Sequence, residues 1–587
     1  MKITEANLAD MLDDLRGASE LSLDTETTGL SETDFPFALV IAAEEWWKVW
    51  YLDLRELQWW NRPELQQIFS DQTKTWYMQN AKFDMRMIGM AGYAIEGKII
   101  DINVAARLVR NDHFAYSLEA QAKRFGKEKG ADVIKKHIAD NNLYEMRKDF
   151  FGVETKQPRY DQVPLPLMYE YAVQDARLTF DLAKHYLAQL SSESLTVLEN
   201  EAKLTKVCFD MERRGLLLNQ EYTIQARYHE MEIVAQRKAE YKEATGQEFV
   251  DSAKSFQKWI GDRFQLPQTA AGNPSLTKEV LDDIIDEMPE DVRVVAKLIK
   301  EIRHHEKRIN TYYDGYLCAA DKDGVVHPTM WQAGTSTGRF SYSNPNLQNI
   351  PKEKKSNAPF VVRGCFKPRP GTVFVSFDYA QMEYRLLAAY ANESDIIRRV
   401  MGGEDFHDVA ASMFGVERDP AKTLNFAILY GAGDSKLSRM LGVAQSTAQR
   451  LKLKYFLALP RVEKLIDKIK SIGKSRGYVT TWLGRNLYSD PQGVYALPNH
   501  LIQGGGADVV KVAMVNIARE VPTVPMVLQV HDQLIFEVRP DQYGLLPKIQ
   551  ELMETAFPPM NGMQLKVDVE WSATSLAVRD MTRGMPC

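Results

Sequence analysis

Apolar and polar positions alternate with period two in several stretches of this chain, and the alternation delivers acids to strand ends. Leu21-Ser22-Leu23-Asp24-Thr25-Glu26 predicts a strand with Leu21 and Leu23 on one face and Asp24 and Glu26 on the other. Val373-Phe374-Val375-Ser376-Phe377-Asp378 predicts another, with Asp378 at its end. Met526 to Val530 and Leu534 to Val538 predict a hairpin around Asp532. Residues 1–185 mix strand-like and helix-like runs, the pattern of an α/β domain. Residues 186–315 turn helical and charged, as in Glu230 to Lys242 and Glu279 to Arg308, with loops predicted at 250–254 and 269–275. Residues 316–392 carry turns and the Asp378 strand, and 393–476 form a helical block. Residues 477–587 bring strands, a Gly-rich turn at Gly504 opening a helix, the Asp532 hairpin and a last strand near Leu565 to Trp571. The expected picture is one sheet interrupted by a helical subdomain.

Length and composition narrow the class. At 587 residues, the chain has room for three or four domains of ~150 residues each. A net charge of −6 excludes a globally basic coat but not a local basic cleft, since only charge facing phosphate matters. Cys208, Cys318, Cys365 and Cys587 show no C-x-x-C pairing and are expected to be reduced thiols, neither a zinc site nor a disulfide frame. The first residues lack a signal-peptide core and no apolar run is long enough to span a bilayer, so a cytoplasmic protein without a membrane partner is expected.

The candidate chemistry is that of divalent cations and phosphate. Magnesium prefers one or two protein carboxylates plus substrate phosphates. Asp378 and Asp532, aimed at one cleft, could hold two ions ~4 Å apart for in-line displacement at phosphorus. A second acidic set comprises Asp24 and Glu26, Asp84 in Asn80-Ala81-Lys82-Phe83-Asp84, and Asp175, four residues after Tyr171 on a predicted helix. A lone D-x-E is usually solvated surface. Three such segments within one domain's length point instead to phosphodiester hydrolysis by a metal-activated water, which Tyr171 could orient. Arg418, Lys422, Phe426 and Tyr430 recur at four-residue spacing along one helical stripe. Two cations followed by two rings suit a nucleoside triphosphate, although an amphipathic helix with a solvated basic end gives the same pattern. The amide-rich stretches 335–351 and 499–508 are poor core material and suit minor-groove contact with a duplex.

Together these segments resemble family A DNA polymerases, of the bacterial DNA polymerase I large-fragment type or a bacteriophage relative, with a 3′–5′ proofreading exonuclease domain. Asp378 to Arg385, Arg418 to Gly431 and His531-Asp532-Gln533 are similar to that family's motifs A, B and C. The first acidic set is similar to its three exonuclease motifs. The resemblance implies a multidomain α/β and α+β fold: a ribonuclease H-like exonuclease domain (1–185), then a right-hand polymerase with thumb (186–315), palm (316–392 and 477–587) and fingers (393–476). It implies two Mg2+ held by Asp378, Asp532 and the Tyr379 carbonyl, and two Mg2+ or Mn2+ held by Asp24, Glu26, Asp84 and Asp175. Arg418, Lys422, Phe426, Tyr430, Glu383 and Gln381 would bind the nucleotide, with Lys422 the proton donor to pyrophosphate and Glu383 excluding a 2′-hydroxyl. Arg339, Asn346, Gln348, Asn349, Asn499, Gln503 and His531 would contact primer and template. The implied partners are primer-template DNA and deoxynucleoside triphosphates, with other replication proteins allowed, for a monomer in the cytoplasm of a bacterium or a phage-infected cell.

Departures from the family pattern are Gln533 for the usual Glu, Ala380 for a common Ser, and Tyr495 for a frequent Arg. Pro420 requires Arg418 to lie at or just before a helix start. The thumb segment is too short for the processivity-factor loop of some phage relatives, and no 5′-nuclease segment precedes the exonuclease stretch; a phage enzyme or a truncated bacterial one would read alike. Two alternatives stay open on sequence: a single-subunit RNA polymerase, against which Glu383 and the exonuclease set argue, and a live exonuclease with a degenerate DNA-binding palm, toward which Gln533 points.

Overall fold

Two five-stranded sheets, one toward each end of the chain, carry the acidic strands, and helices lie between them. The computed structural model describes residues 2–586 apart from 5–6, 32, 44–47, 57–59, 61 and 354–357. Cys587 lies outside the described residues, and Cys208, Cys318 and Cys365 are free thiols.

The first sheet comprises β1 (Glu20–Thr27), β2 (Pro36–Ala43), β3 (Val49–Asp53), β4 (Thr75–Met78) and β5 (Lys98–Asp101), in the order β3-β2-β1-β4-β5. β1 runs antiparallel to β2 and parallel to β4. Two helices flank this sheet, α1 (Ala81–Met90) and α2 (Leu165–Leu187). Leu21 and Leu23 are fully buried in an apolar cluster. Ser22 belongs to the opposite face, where its hydroxyl donates to the Ala176 carbonyl of α2 at 2.7 Å. The period-two reading of β1 therefore holds, and its polar face looks toward α2.

Helix α3 (Ser192–Arg214) joins the two halves of the molecule. Its Val197 and Leu198 are buried with residues of the first sheet and its helices, whereas Leu204, Cys208 and Met211 are buried in the core of the second. A ring of buried charge reinforces this seam. The Arg485 guanidinium lies 2.6 Å from Glu201 of α3 and 2.7 Å from Asp508, and the Lys511 ammonium also meets Glu201. Buried charges are tolerated when each is paired, and removing one partner leaves an uncompensated ion.

Next come α4 (Gln220–Thr245) and α5 (Glu290–Lys307), packed together, with short helices at 253–260 and 278–284 around a separate core of Phe256, Leu281, Val292 and Ile299. The stretch 269–275 is irregular as expected, but Ala253 and Lys254, predicted as loop, begin a helix. The cause is local: the Ser252 hydroxyl accepts the Ser255 N–H at 3.3 Å, an N-cap that the chain offers at that position.

The second sheet contains β6 (Val373–Tyr379), β7 (Met526–Val530), β8 (Gln533–Val538), β9 (Val567–Ser572) and β10 (Thr582–Arg583). All neighbours are antiparallel, in the order β7-β8-β6-β9-β10. Between β6 and β7 the chain inserts helices that include α6 (Met382–Ala391), α7 (Arg418–Leu429) and α8 (Leu497–Glu520). The expected turn at Gly504 is absent, because Gly504, Gly505 and Gly506 lie inside α8. Glycine serves close packing here. A Cβ on Gly504 would stand 2.7 Å from Leu487 Cδ1 and 3.1 Å from the Thr337 carbonyl, and one on Gly506 would stand 2.9 Å from Met382 Cε. Side-chain packing overrode the local breaker signal.

Candidate active sites

β6 and β8 are neighbours with Asp378 directly opposite Gln533, and the Tyr379 N–H donates to the Asp532 carbonyl at 3.2 Å. The two aspartates that are remote in sequence thus meet at one end of one sheet. His531 and Asp532 form the two-residue turn between β7 and β8, and His531 takes a left-handed φ of 57°. Gln348 pins this turn. Its Oε1 accepts the His531 N–H at 3.0 Å and its Nε2 donates to Gln529 Oε1 at 2.7 Å. The Asp532 carboxyl is pushed up to about 7, by burial first and then by the charge of Asp378, with Lys352 acting the other way. Lys352 Nζ lies 3.4 Å from Asp378 Oδ2. The His531 imidazole is held below its ordinary value by burial and then by the cations Arg339, Lys352 and Arg363.

A carboxyl whose ionisation is opposed by burial and by the neighbouring Asp378 fits a divalent cation, which would favour that charge. Among the described residues no three His, Cys, Asp or Glu side chains form a ready-made cage. The same holds for the acids of the second site described below; magnesium draws much of its shell from water and substrate phosphate. Gln533 is buried beside Asp378. Its Nε2 donates to the Ser376 hydroxyl at 2.5 Å, and Arg363 Nη1 donates to its Oε1 at 3.5 Å. On the other side of Asp378 the register places Asp568 of β9. A cavity of about 570 Å³ runs past Lys352, Arg363, Asp378, Gln533 and Asp568.

The α7 stripe forms as its spacing predicts. Arg418 is the first helical residue and Pro420 the third, the region where the ring removes no helical hydrogen bond. Arg418, Lys422 and Phe426 are exposed on one face, and Tyr430 follows the helix half-buried. The Phe426 and Tyr430 rings stack with centroids 4.2 Å apart. The Tyr430 hydroxyl accepts from Gln503 Nε2 at 2.8 Å, and Arg339 pairs with Glu383 of α6. Arg418 pairs with Asp405 at 3.3 Å and Asp408 at 3.0 Å. Gln381, with a left-handed φ of 54°, precedes α6 and donates to Asp405 Oδ2 at 2.6 Å. Asn346 caps the short turn 347–349 by accepting the Gln348 N–H at 3.0 Å, and Asn349 is exposed. Gln348 itself is buried and committed to the hairpin. Asn499 is half-buried with Oδ1 unpartnered, while Tyr495 is 62 % exposed.

The second acidic site assembles from β1, α1 and α2. Asp24 and Glu26 come from β1, Asp84 from α1, and Tyr171 and Asp175 from consecutive turns of α2. The Thr25 hydroxyl donates to Asp84 Oδ1 at 2.7 Å. Burial pushes the Asp24 carboxyl up to about 7, with Asp175 adding to it. Glu26 is driven well up by burial and then by Asp24, Asp175 and Asp84. Asp84 moves the same way, by burial and then Asp24. All five residues named from sequence therefore converge. One that sequence reasoning missed lies among them: Lys129 Nζ sits 2.6 Å from Asp175 Oδ2 and 5.1 Å from the centre of the Tyr171 ring. Burial works most strongly on that ammonium and against its charge, but Asp175, Asp24 and Glu26 together outweigh it and hold Lys129 above its ordinary value. Asp175 Oδ1 is buried without a hydrogen-bond partner. An acidic group with one oxygen unsatisfied fits a cation. Lys129 and Lys352 were invisible in sequence because each stands in irregular chain among other lysines, Lys127 near one and Lys354 and Lys355 near the other, with no period or spacing to single it out.

The strands, the two carboxylate pairings and the α7 stripe define a right-hand polymerase fold joined to a ribonuclease H-like exonuclease fold. The model of DNA polymerase family A matches residues 220–576, and a 3′–5′ exonuclease model matches residues 2–191. The chain belongs to DNA polymerase family A. It is 29% identical to the DNA polymerase I of Chloroflexus aurantiacus, an alignment covering 91% of this chain and 59% of that protein. It is 27% identical to the DNA polymerase DpoZ of Salmonella phage PMBT28, covering 88% of this chain and 90% of that protein. Alignments with the first bacterial relatives cover between 49% and 62% of their length. Among solved structures, the POL domain of Pol1 from M. smegmatis, in complex with DNA primer-template and dNTP, superposes with a TM-score of 0.82 at 23% identity, covering 98% of this chain and 99% of that one. No described helix is long and apolar enough to cross a membrane.

Proposed function

We propose that this chain is a template-directed DNA polymerase that extends a primer 3′ end and removes misplaced nucleotides from it by 3′–5′ hydrolysis. The observation that carries the reading is the meeting of Asp378 and Asp532 at one end of one sheet, beside a helix that lines up Arg418, Lys422 and Phe426. Asp378, Asp532 and the Tyr379 carbonyl would hold two Mg2+, which when bound supply a lowered pKa at the primer hydroxyl and charge on the departing phosphates. Arg418 and Lys422 bind the triphosphate; Arg418 must exchange its partners Asp405 and Asp408 for phosphate. The primer 3′-hydroxyl loses its proton to solvent water as its oxygen forms a bond to the α-phosphorus, the bond from that phosphorus to the bridging oxygen breaks, and pyrophosphate leaves with a proton from Lys422. Phe426 and Tyr430 unstack to receive the sugar and the new pair, while Glu383, held by Arg339, blocks a 2′-hydroxyl. Gln381 keeps Asp405 in place next to α6, and Gln348 presents the hairpin tip on which His531 faces the primer end. Asn346, Asn349, Asn499 and Gln503 contact the duplex. The contribution of these residues is alignment and charge placement rather than covalent catalysis.

In the second site Asp24, Glu26, Asp84 and Asp175 would hold two Mg2+ or Mn2+, and Tyr171 orients the attacking water. The water oxygen joins the terminal phosphorus, and the 3′-oxygen of the preceding nucleotide leaves as a hydroxyl. Primer-template DNA and deoxynucleoside triphosphates are the proposed substrates. A primed template offered deoxy- or ribonucleotides tests the reading. Asp532→Ala should abolish extension and leave single-strand degradation intact, and Asp24→Ala should do the reverse. Extension surviving the first change removes the palm assignment, and efficient ribonucleotide use supports an RNA polymerase instead.

A further inference from the structure

The exonuclease-like site contains an internal cation at its edge. Four acids converge there, and Glu26, Asp84 and Asp175 are 7%, 2% and 2% exposed. Four such groups in one pocket repel one another when ionised. The Lys129 ammonium answers part of that charge at 2.6 Å from Asp175 Oδ2, and its side chain is only 14% exposed. The residue is held by a built loop. Gln174, the neighbour of Asp175 on α2, donates from Nε2 to the Glu128 carbonyl at 2.6 Å, and the adjacent Gly130 lets that amide close in, since a Cβ there would stand 3.1 Å from Gln174 Oε1. The lysine therefore reaches Tyr171 and Asp175, the two residues that α2 contributes to the site. Its contact satisfies one oxygen of Asp175 and leaves the other, Oδ1, buried and unpartnered. A single-charged, flexible ammonium thus stands where a divalent ion would bind two oxygens.

We propose that Lys129 is a tethered counter-ion that competes with divalent metal for Asp175, so that this one side chain sets the metal concentration at which the exonuclease site loads. The inference rests on the exonuclease reading given above. In the metal-free protein Lys129 keeps the four acids together. Ion entry requires its ammonium to swing off Asp175 toward solvent, carried by four methylene groups. No bond is made or broken in the exchange.

The test measures Mn2+ binding by electron paramagnetic resonance on the full chain, with Asp378→Asn and Asp532→Asn present throughout to silence the palm. Lys129→Met keeps the apolar stem over the Tyr171 ring and removes the charge. Loss of one competing charge in a partly wet site should tighten Mn2+ binding on the order of tenfold. Lys129→Arg, which retains the charge, should bind as the parent does. With the palm restored, the Mg2+ concentration for half-maximal single-strand degradation should fall in Lys129→Met and not in Lys129→Arg. Unchanged or weaker Mn2+ binding in a folded Lys129→Met overturns the proposal, as does equal tightening in both variants. The exonuclease reading fails separately, if Asp24→Asn with Glu26→Gln leaves Mn2+ binding as tight as before.

Discussion

Asp532→Asn should strengthen the metal-free fold and abolish extension at the same time. The carboxyl sits half-buried at the hairpin tip beside Asp378 and is pushed from 3.8 to about 7. Each tenfold change in proton affinity corresponds to ~1.4 kcal/mol, so forcing this charge to form at pH 8 costs at most ~4 kcal/mol in the metal-free protein. The sign follows from proton counts. The folded state holds this proton more tightly than the unfolded chain, so stability falls as pH rises from about 4 to about 7 and the loss is complete above that. Asparagine has the same shape and no charge to form. In a chelator-containing buffer the variant should therefore melt higher than the parent at pH 8, by roughly 8 °C if the full effect is felt by one large domain at ~2 °C per kcal/mol. The gap should shrink progressively toward pH 5. Added Mg2+ should raise the melting point of the parent by more than that of the variant, in which only the second acidic site still binds the ion. Differential scanning of both proteins at several pH values, with primer extension run in parallel, measures all of this. A melting difference that does not depend on pH, or a variant less stable than its parent at pH 8, would refute the idea that Asp378 and burial together oppose this charge.

Phe426→Tyr should ease dideoxynucleotide incorporation, since a phenol near the sugar can offer a hydrogen bond where the 3′-hydroxyl is missing; single-nucleotide competition assays read the ratio, and an unchanged ratio removes Phe426 from the sugar. Gln533→Glu places a carboxylate near Arg363, now 3.5 Å from the amide, and should lower the Mg2+ needed for half-maximal extension by adding charge beside Asp378; no change in that requirement would mean that Gln533 acts only on Ser376 and Arg363. Gly504→Val should destabilise the protein by about 1–3 kcal/mol through overpacking against Leu487 and the backbone at Thr337, visible as a lower denaturation midpoint, and a neutral result would show that α8 can shift. Thr25→Val removes the hydroxyl that donates to Asp84 at 2.7 Å and should slow single-strand degradation while leaving extension unchanged.

Much of this molecule was written in local pattern. The alternation in β1 and β6 gave both acidic strands, Pro420 placed the start of α7 at or just after Arg418, and Arg418, Lys422 and Phe426 of the stripe share one exposed helical face while Tyr430 follows the helix half-buried. What sequence did not reveal was set by partners distant along the chain. The glycines at 504–506 look like a turn until Leu487, Thr337 and Met382 are seen pressing on them. Antiparallel register, which no single strand encodes, put Gln533 and Asp568 on either side of Asp378. The edge strand β10, two residues long, is too short to carry a period, and it lies past the end of the family match at 576. Gln348 reads as a surface amide because its partners, Gln529 as acceptor and the His531 N–H as donor, lie in another part of the chain. Lys129 illustrates the same limit at the second acidic site, since one lysine of the Lys127-Glu128-Lys129 stretch is set apart only by what surrounds it in the fold.

Helix α3 has its first turns embedded among the packing of one sheet and its last turns in that of the other, with the Glu201, Arg485, Asp508 and Lys511 charges locked at mid-length. A rod anchored at both ends and pinned in the middle cannot serve as a hinge. On the function proposed above, the two acidic sites would then keep a fixed separation, and a frayed strand end would have to unpair and travel between them. Errors would be sorted by how readily the terminal base pairs melt, a property of the nucleic acid rather than of any domain swing.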